Sequence, residues 1–108
     1  MIVTTGNEVV GSEITKYFGI VRGIVVRSRS LIGNFAGGLQ TLFGGNISVY
    51  TNLCERTRTE AYDMMCRHAD ISGANAIIMM RYDANEIMSG VTEVICYGTA
   101  VVVDEGGA

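Results

Sequence analysis

Asn75 to Met80 and Val94 to Val103 are apolar at consecutive positions, so each would show hydrocarbon on both faces of a strand. A strand apolar on one face needs one cover, and these need two. In a small antiparallel domain a single helix layer covers one sheet face, and the other must be closed by more protein. That second face, with the uncharged Ser30 to Cys54 segment, is therefore expected to lie in subunit contacts.

The flanking pattern supplies the remaining elements. Ile2 to Thr5 reads as a short strand ending at Gly6-Asn7, with Val9-Val10-Gly11 extending or bulging it. Ile14 to Ser28 reads as one long strand, in which Gly19 and Gly23 mark bends or close backbone approach. Ser30 caps a predicted short helix carrying Leu31, Ile32, Phe35, Ala36, Leu39, Leu42 and Phe43, and Gly44-Gly45-Asn46 closes it as a loop. Val49 to Ile71 predicts the long helix. Its apolar stripe is Tyr50, Leu53, Thr57, Ala61, Met64 and His68, with Glu55, Arg56, Thr59, Glu60, Asp63 and Arg67 opposite. Arg56 with Glu60, and Asp63 with Arg67, are i,i+4 pairs expected to serve solubility. Gly73 stops that helix. Strands then follow over Asn75 to Asp83 and Val91 to Val103, joined by a turn at Met88-Ser89-Gly90, and Asp104 to Ala108 is expected to fray. The order gives an α+β fold, a mainly antiparallel sheet with one long helix on one face, in a single domain over residues 1–108.

Composition strengthens the case for self-association. In 108 residues, 48% are hydrophobic and the mean hydropathy is +0.30, more hydrocarbon than a small sphere hides alone. A net charge of -3 with only eight Lys+Arg lacks the positive footprint of nucleic-acid binding. Arg22, Arg27 and Arg29 form the one basic cluster, read as a solvated strand end. No window of about 18 apolar residues exists, because glycine, asparagine and other polar residues interrupt the uncharged stretch, so no membrane span is expected. Three cysteines at spacings of 12 and 30 make no disulfide framework, and Met-Ile-Val-Thr-Thr-Gly shows no basic region followed by an apolar stretch, so export is not expected. Reduced thiols in a cytoplasm fit this usage.

Thr4-Thr5, Tyr17-Phe18-Gly19-Ile20-Val21-Arg22-Gly23, Gly44-Gly45 with Tyr50, Ala61, Gly73-Ala74-Asn75-Ala76-Ile77-Ile78 and Gly98-Thr99-Ala100-Val101-Val102 recur in an order and spacing that resemble the YbjQ family. The match covers nearly the whole chain. The resemblance implies a βαββ-type subunit assembled into a closed ring, a homopentamer with short added strands joining neighbours, and a heavy-metal-binding label without an established activity. Three positions depart from that pattern. Cys54 stands where Leu is expected, Thr51 where Glu is expected, and Met79-Met80 where Gly and Val are common. The first adds a thiol, the second removes one ligand, and the third makes the central strand more apolar.

The metal label invites a geometric test of Cys54, Cys66, Cys96 and His68. Cys66 and His68 lie about 200° apart around a regular helix, and Cys54 and His68 lie roughly 21 Å apart along it. Neither pair chelates. Cys96 on the last strand can approach one of them, but gives two ligands where a closed zinc site takes four. Buried thiols and an interior or boundary histidine are the structural reading, and any metal is expected to bridge subunits or sit on a ring axis, where Glu8, Asp83, Glu86 and Glu93 are further donors. Met64, Met65, Met79, Met80 and Met88 are read as core filler before a soft-metal surface. A cysteine nucleophile needs an adjacent base, which Cys66 lacks in a regular helix, and no glycine motif cradles phosphate, so no catalytic residue is assigned. The leading reading is a homo-oligomeric binding protein holding a heavy-metal ion or small ligand between subunits. The alternative is an interaction ring with no ligand of its own, and an enzyme of unknown substrate ranks third.

Overall fold

The computed structural model describes residues 1–28 and 47–105. The short helix expected over Ser30 to Phe43, its closing loop, Arg29 and residues 106–108 lie outside them. The described elements are β1 (Ile2–Val3), β2 (Ser12–Ser28), α1 (Ile47–Ser72), β3 (Ala76–Met88) and β4 (Val91–Glu105). The strands form one mixed sheet in the order β1-β3-β4-β2. β1 runs parallel to β3, whereas β3/β4 and β2/β4 are antiparallel. The two segments apolar on both faces thus belong to the two central strands, where both faces are covered.

One cover is α1, which seals Val21 and Val25 of β2, Ile77 of β3, and Cys96 and Ala100 of β4 under Ala61, Met65 and Ala69. The opposite sheet face carries a second cluster, Ala76, Ile78, Val101 and Val103, against which Val9 and Ile14 pack. Ile78 is only 4% exposed. The expectation that this part of the second face waits for another subunit is therefore corrected: Ile78, Val101 and Val103 are buried within one chain. The loop carrying Val9 folds back over that face. What stays open is the outer face of β2, where Ile20 is 71% and Val26 49% exposed.

The buried helix stripe is Thr57, Ala61, Met65 and Ala69, an unbroken i,i+4 row. The expected stripe passed through Met64 and His68, which are exposed. The small residues Ala61 and Ala69 let the backbone approach closely and select the row that contains them. Thr57 is tolerated there because its hydroxyl donates to the Leu53 carbonyl at 2.9 Å. Glu60 pairs with Arg27 on β2, in place of the helix pair expected with Arg56. The helix ends as its sequence requires: Gly73 takes φ 98°, its N–H donates to Asp70 at 3.0 Å, and the Ala74 N–H reaches Ala69 at 3.1 Å. Asn75 then clamps the end of β4, donating to the Val103 carbonyl at 2.9 Å and accepting the Val103 N–H at 2.8 Å.

β3 and β4 turn through Ser89-Gly90, and Glu86 accepts the Gly90 N–H at 3.1 Å. β4 continues through Asp104 and Glu105, which pair with Glu13 and Ser12, so pairing extends into the segment expected to fray. The β3/β4 register slips between Ile78 and Arg81, where Met79 and Met80 together face Gly98. Met79 adopts φ 55° at this bulge, a conformation suited to glycine.

Two predictions follow from this packing. A Cβ on Gly23 would lie 2.0 Å from the Ala61 carbonyl and 2.8 Å from the Met65 nitrogen. Because both obstacles are helix backbone, Gly23→Ala is expected to destabilise the fold by about 3 kcal/mol or more. An unchanged denaturation midpoint would contradict this seating of the helix. Met79→Gly is expected to raise stability by about 0.5–1 kcal/mol, as released left-handed strain exceeds the added chain entropy of glycine. A lower midpoint for that variant would show that the Met79 side chain contributes more than its backbone costs.

Candidate functional site

α1 crosses the sheet above a single row of residues. Gly23 of β2 pairs with Cys96 of β4, and Cys96 pairs with Tyr82 of β3. Gly23 lets the helix down onto the sheet, which brings Met65 over Cys96: the Cys96 thiol donates to the Met65 thioether at 3.6 Å. Arg58, two turns back along α1 from Met65, lies over the Tyr82 ring at 5.4 Å. Tyr62 and Cys66, an i,i+4 pair on α1, pack half-buried against the same core.

The candidate ligands fall into three environments. Cys54 is exposed on α1, unlike the buried thiol expected there. His68 is also exposed, and its Nδ1 accepts the Arg22 backbone N–H at 3.3 Å, tying the helix to the edge strand. Cys66 and Cys96 share the helix–sheet interface, half-buried and fully buried respectively. The carboxylates are spread out. Glu8, Asp83 and Glu86 are exposed and Glu93 is half-buried, and Asp83 accepts the Ala84 N–H at 3.0 Å. Among the described residues no three His, Cys, Asp or Glu side chains gather closely enough to hold a metal ion.

The electrostatics of the two inner thiols are alike. Burial pushes the Cys96 thiol from 9.0 up to about 11, with Cys66 adding to the effect and the Tyr82 hydroxyl opposing it by hydrogen bonding. Burial also raises Cys66, against hydrogen bonding from Tyr62. The phenols of Tyr62 and Tyr82 are raised in turn, first by burial and then by their cysteine neighbours. Both thiols are thus protonated at neutral pH, which makes them weak nucleophiles. Cys66 lines a cleft of about 350 Å³ with Met1, Asp63, Arg67 and Asp70.

Tyr62, Met65 and Tyr82 were not singled out as partners of the thiols by sequence reasoning. The Tyr62-Cys66 spacing was the available signal for one of them. Tyr82 could not be placed without the β3/β4 register.

The family model YbjQ_1, described as "Putative heavy-metal-binding", matches residues 1–104. A UPF0145 protein of Chromobacterium violaceum is 61% identical over 103 residues, covering 95% of this chain and 88% of that one. A UPF0145 protein of Solibacter usitatus is 60% identical over 101 residues, covering 94% and 90%. The fold is similar to the crystal structure of a protein of unknown function of the DUF74 family from Pediococcus pentosaceus. The TM-score is 0.62 at 18% identity, with 96% of this chain and 98% of that chain covered.

The raised thiol implies a pH dependence of stability. In the unfolded chain Cys96 titrates near 9.0, and in the folded one near 11. Its contribution is complete below pH 9, and declines as pH rises toward 11 because the unfolded chain releases its proton first. A loss of about 1–2 kcal/mol is expected across that window, and Cys96→Ala should flatten the profile relative to the parent protein. Equal slopes for the two proteins in denaturation at pH 8 to 11 would remove Cys96 as the cause.

Proposed function

The chain belongs to the YbjQ family, and from that premise and its two open sheet edges we propose that it is a homo-oligomeric binding protein, a pentameric ring holding a heavy-metal ion or small ligand. The observation that carries the assembly is the pair of edges. β2 is a 17-residue edge strand, and beyond β1 the Arg81 to Met88 half of β3 forms the opposite edge. Among the described strands nothing pairs with either. Long exposed edges with apolar faces are templates for another chain. Here the outer face of β2 carries Ile20, Ile24 and Val26, and distal β3 carries Ile87 and Met88.

The two edges differ, so pairing β2 of one subunit with β3 of the next is a head-to-tail contact. Contacts of that type close into rings when the rotation permits and otherwise propagate as filaments. The shape supports the same reading. The radius of gyration is 17.5 Å, where a compact chain of this length has about 13 Å. The projecting β2/β3/β4 ribbon buries little by itself, and a neighbour on either side would cover it.

Light scattering at micromolar concentration should give close to five times the 11.6 kDa chain mass, as interfaces burying about 1,200 Å² or more persist there. Ile24→Lys, on the outer face of β2, should release folded monomers with an unaltered circular dichroism spectrum. A wild-type monomer would overturn the ring, and metal analysis of untagged protein would separate a metal-holding ring from one that holds none.

A further inference from the structure

Two sulfur atoms meet beneath α1, and a second cysteine packs against the cluster that holds them. Met65 and Cys96 are fully buried, with the Cys96 thiol donating to the Met65 thioether at 3.6 Å. Cys66 follows Met65 in the helix and packs against the same cluster. Tyr62, one turn before Cys66, packs half-buried against the same cluster. Tyr82 is the cross-strand neighbour of Cys96 on β3. Cys66 also lines the open cleft, together with Asp63, Asp70, Arg67 and the chain's N-terminal Met1.

Resting on the heavy-metal reading above, we propose that Cys66 and Cys96, assisted by the Met65 thioether, form a two-thiolate site within one subunit for a soft, low-coordinate dication of the mercuric class. Thiolate and thioether ligands select soft metals. A closed zinc site takes four ligands, and this cluster has two thiols and one thioether. Charge selects further among soft ions. A dication and two thiolates make a neutral unit, whereas a monovalent ion would leave a net negative charge in a buried site. On binding, each S–H bond is replaced by an S–metal bond, two protons leave to solvent, and no electron changes hands. The Tyr62 and Tyr82 hydroxyls then donate to the bound sulfurs and orient them.

The test uses the full chain with Cys54→Ser, which removes the exposed third thiol. Mercuric ion is added in the presence of excess 2-mercaptoethanol, which strips a lone cysteine but competes poorly with two thiolates held on one fold. Native mass spectrometry should show one mercury per chain, two protons lost per ion, and no displacement by zinc. Cys66→Ser and Cys96→Ser should each abolish retention, and Tyr62→Phe or Tyr82→Phe should weaken it by about 10- to 100-fold. Stripping of mercury from the Cys54→Ser protein, retention in either cysteine variant, or one ion per two chains would overturn the proposal. Cys66 is half-buried, so Cys66→Ser alone decides the matter if Cys96→Ser does not fold. The same spectra weigh the assembly separately: a monomer that keeps mercury removes the ring and leaves the site, and a ring that loses mercury removes the site alone.

Discussion

The seating of α1 on Gly23 is the contact from which the rest of the arrangement follows. An added Cβ would meet the Ala61 carbonyl at 2.0 Å, so the helix backbone touches the strand directly. That approach forces small residues onto the contacting row, Ala61 and Ala69, with Met65 between them as the one long side chain. Met65 must then project into the space over Cys96, the residue beside Gly23 in the sheet. The burial of the inner thiols, the cleft at Cys66 and the position of Tyr62 are consequences of where the helix rests.

A helix this close covers one sheet face and leaves the other to a second device. The chain meets part of that need itself by folding Val9 and Ile14 over Ile78, Val101 and Val103. The cover does not extend along β2, and the difference is chemical. Among the described strands β4 is paired on both sides and β3 only along its first residues, whereas β2 and the Arg81 to Met88 half of β3 offer open edges with exposed apolar side chains. His68 accepts one N–H of that strand, from Arg22. The exposed apolar surface therefore lies along β2 and distal β3 and not over Ile78, Val101 and Val103.

Much of the scaffold was legible because it depends on local rules. Two-faced apolar runs mark the central strands, Gly73 ends the helix, Ser89-Gly90 turns the hairpin, and Gly23 signals a close approach. The helix stripe was harder to read, since 57, 61, 64, 68 and 57, 61, 65, 69 are both helical spacings. Only the tight contact over Gly23 decides between them. The cover on the second face was unreadable for another reason. It comes from a loop near Val9, and loop placement has no periodicity to betray it.

The thiol site was hidden by one inserted residue. Before the bulge, Ala76, Ile77 and Ile78 pair with Val101, Ala100 and Thr99, and continuing that register would set Arg81 opposite Cys96. The slip at Met79-Met80 sets Tyr82 there instead, and Arg81 donates to the Thr5 and Met80 carbonyls at 2.8 Å each. The two registers have opposite chemistry. A guanidinium beside Cys96 would stabilise a thiolate and lower its pKa, while the phenol leaves burial in control and the thiol protonated. Gly98 is what admits the bulge, because a Cβ there would sit 2.6 Å from Ile77 and 3.0 Å from the Ile78 carbonyl. A left-handed methionine and the glycine opposite it thus decide whether the buried Cys96 sulfur stays a neutral thiol or stands as an ion-paired thiolate.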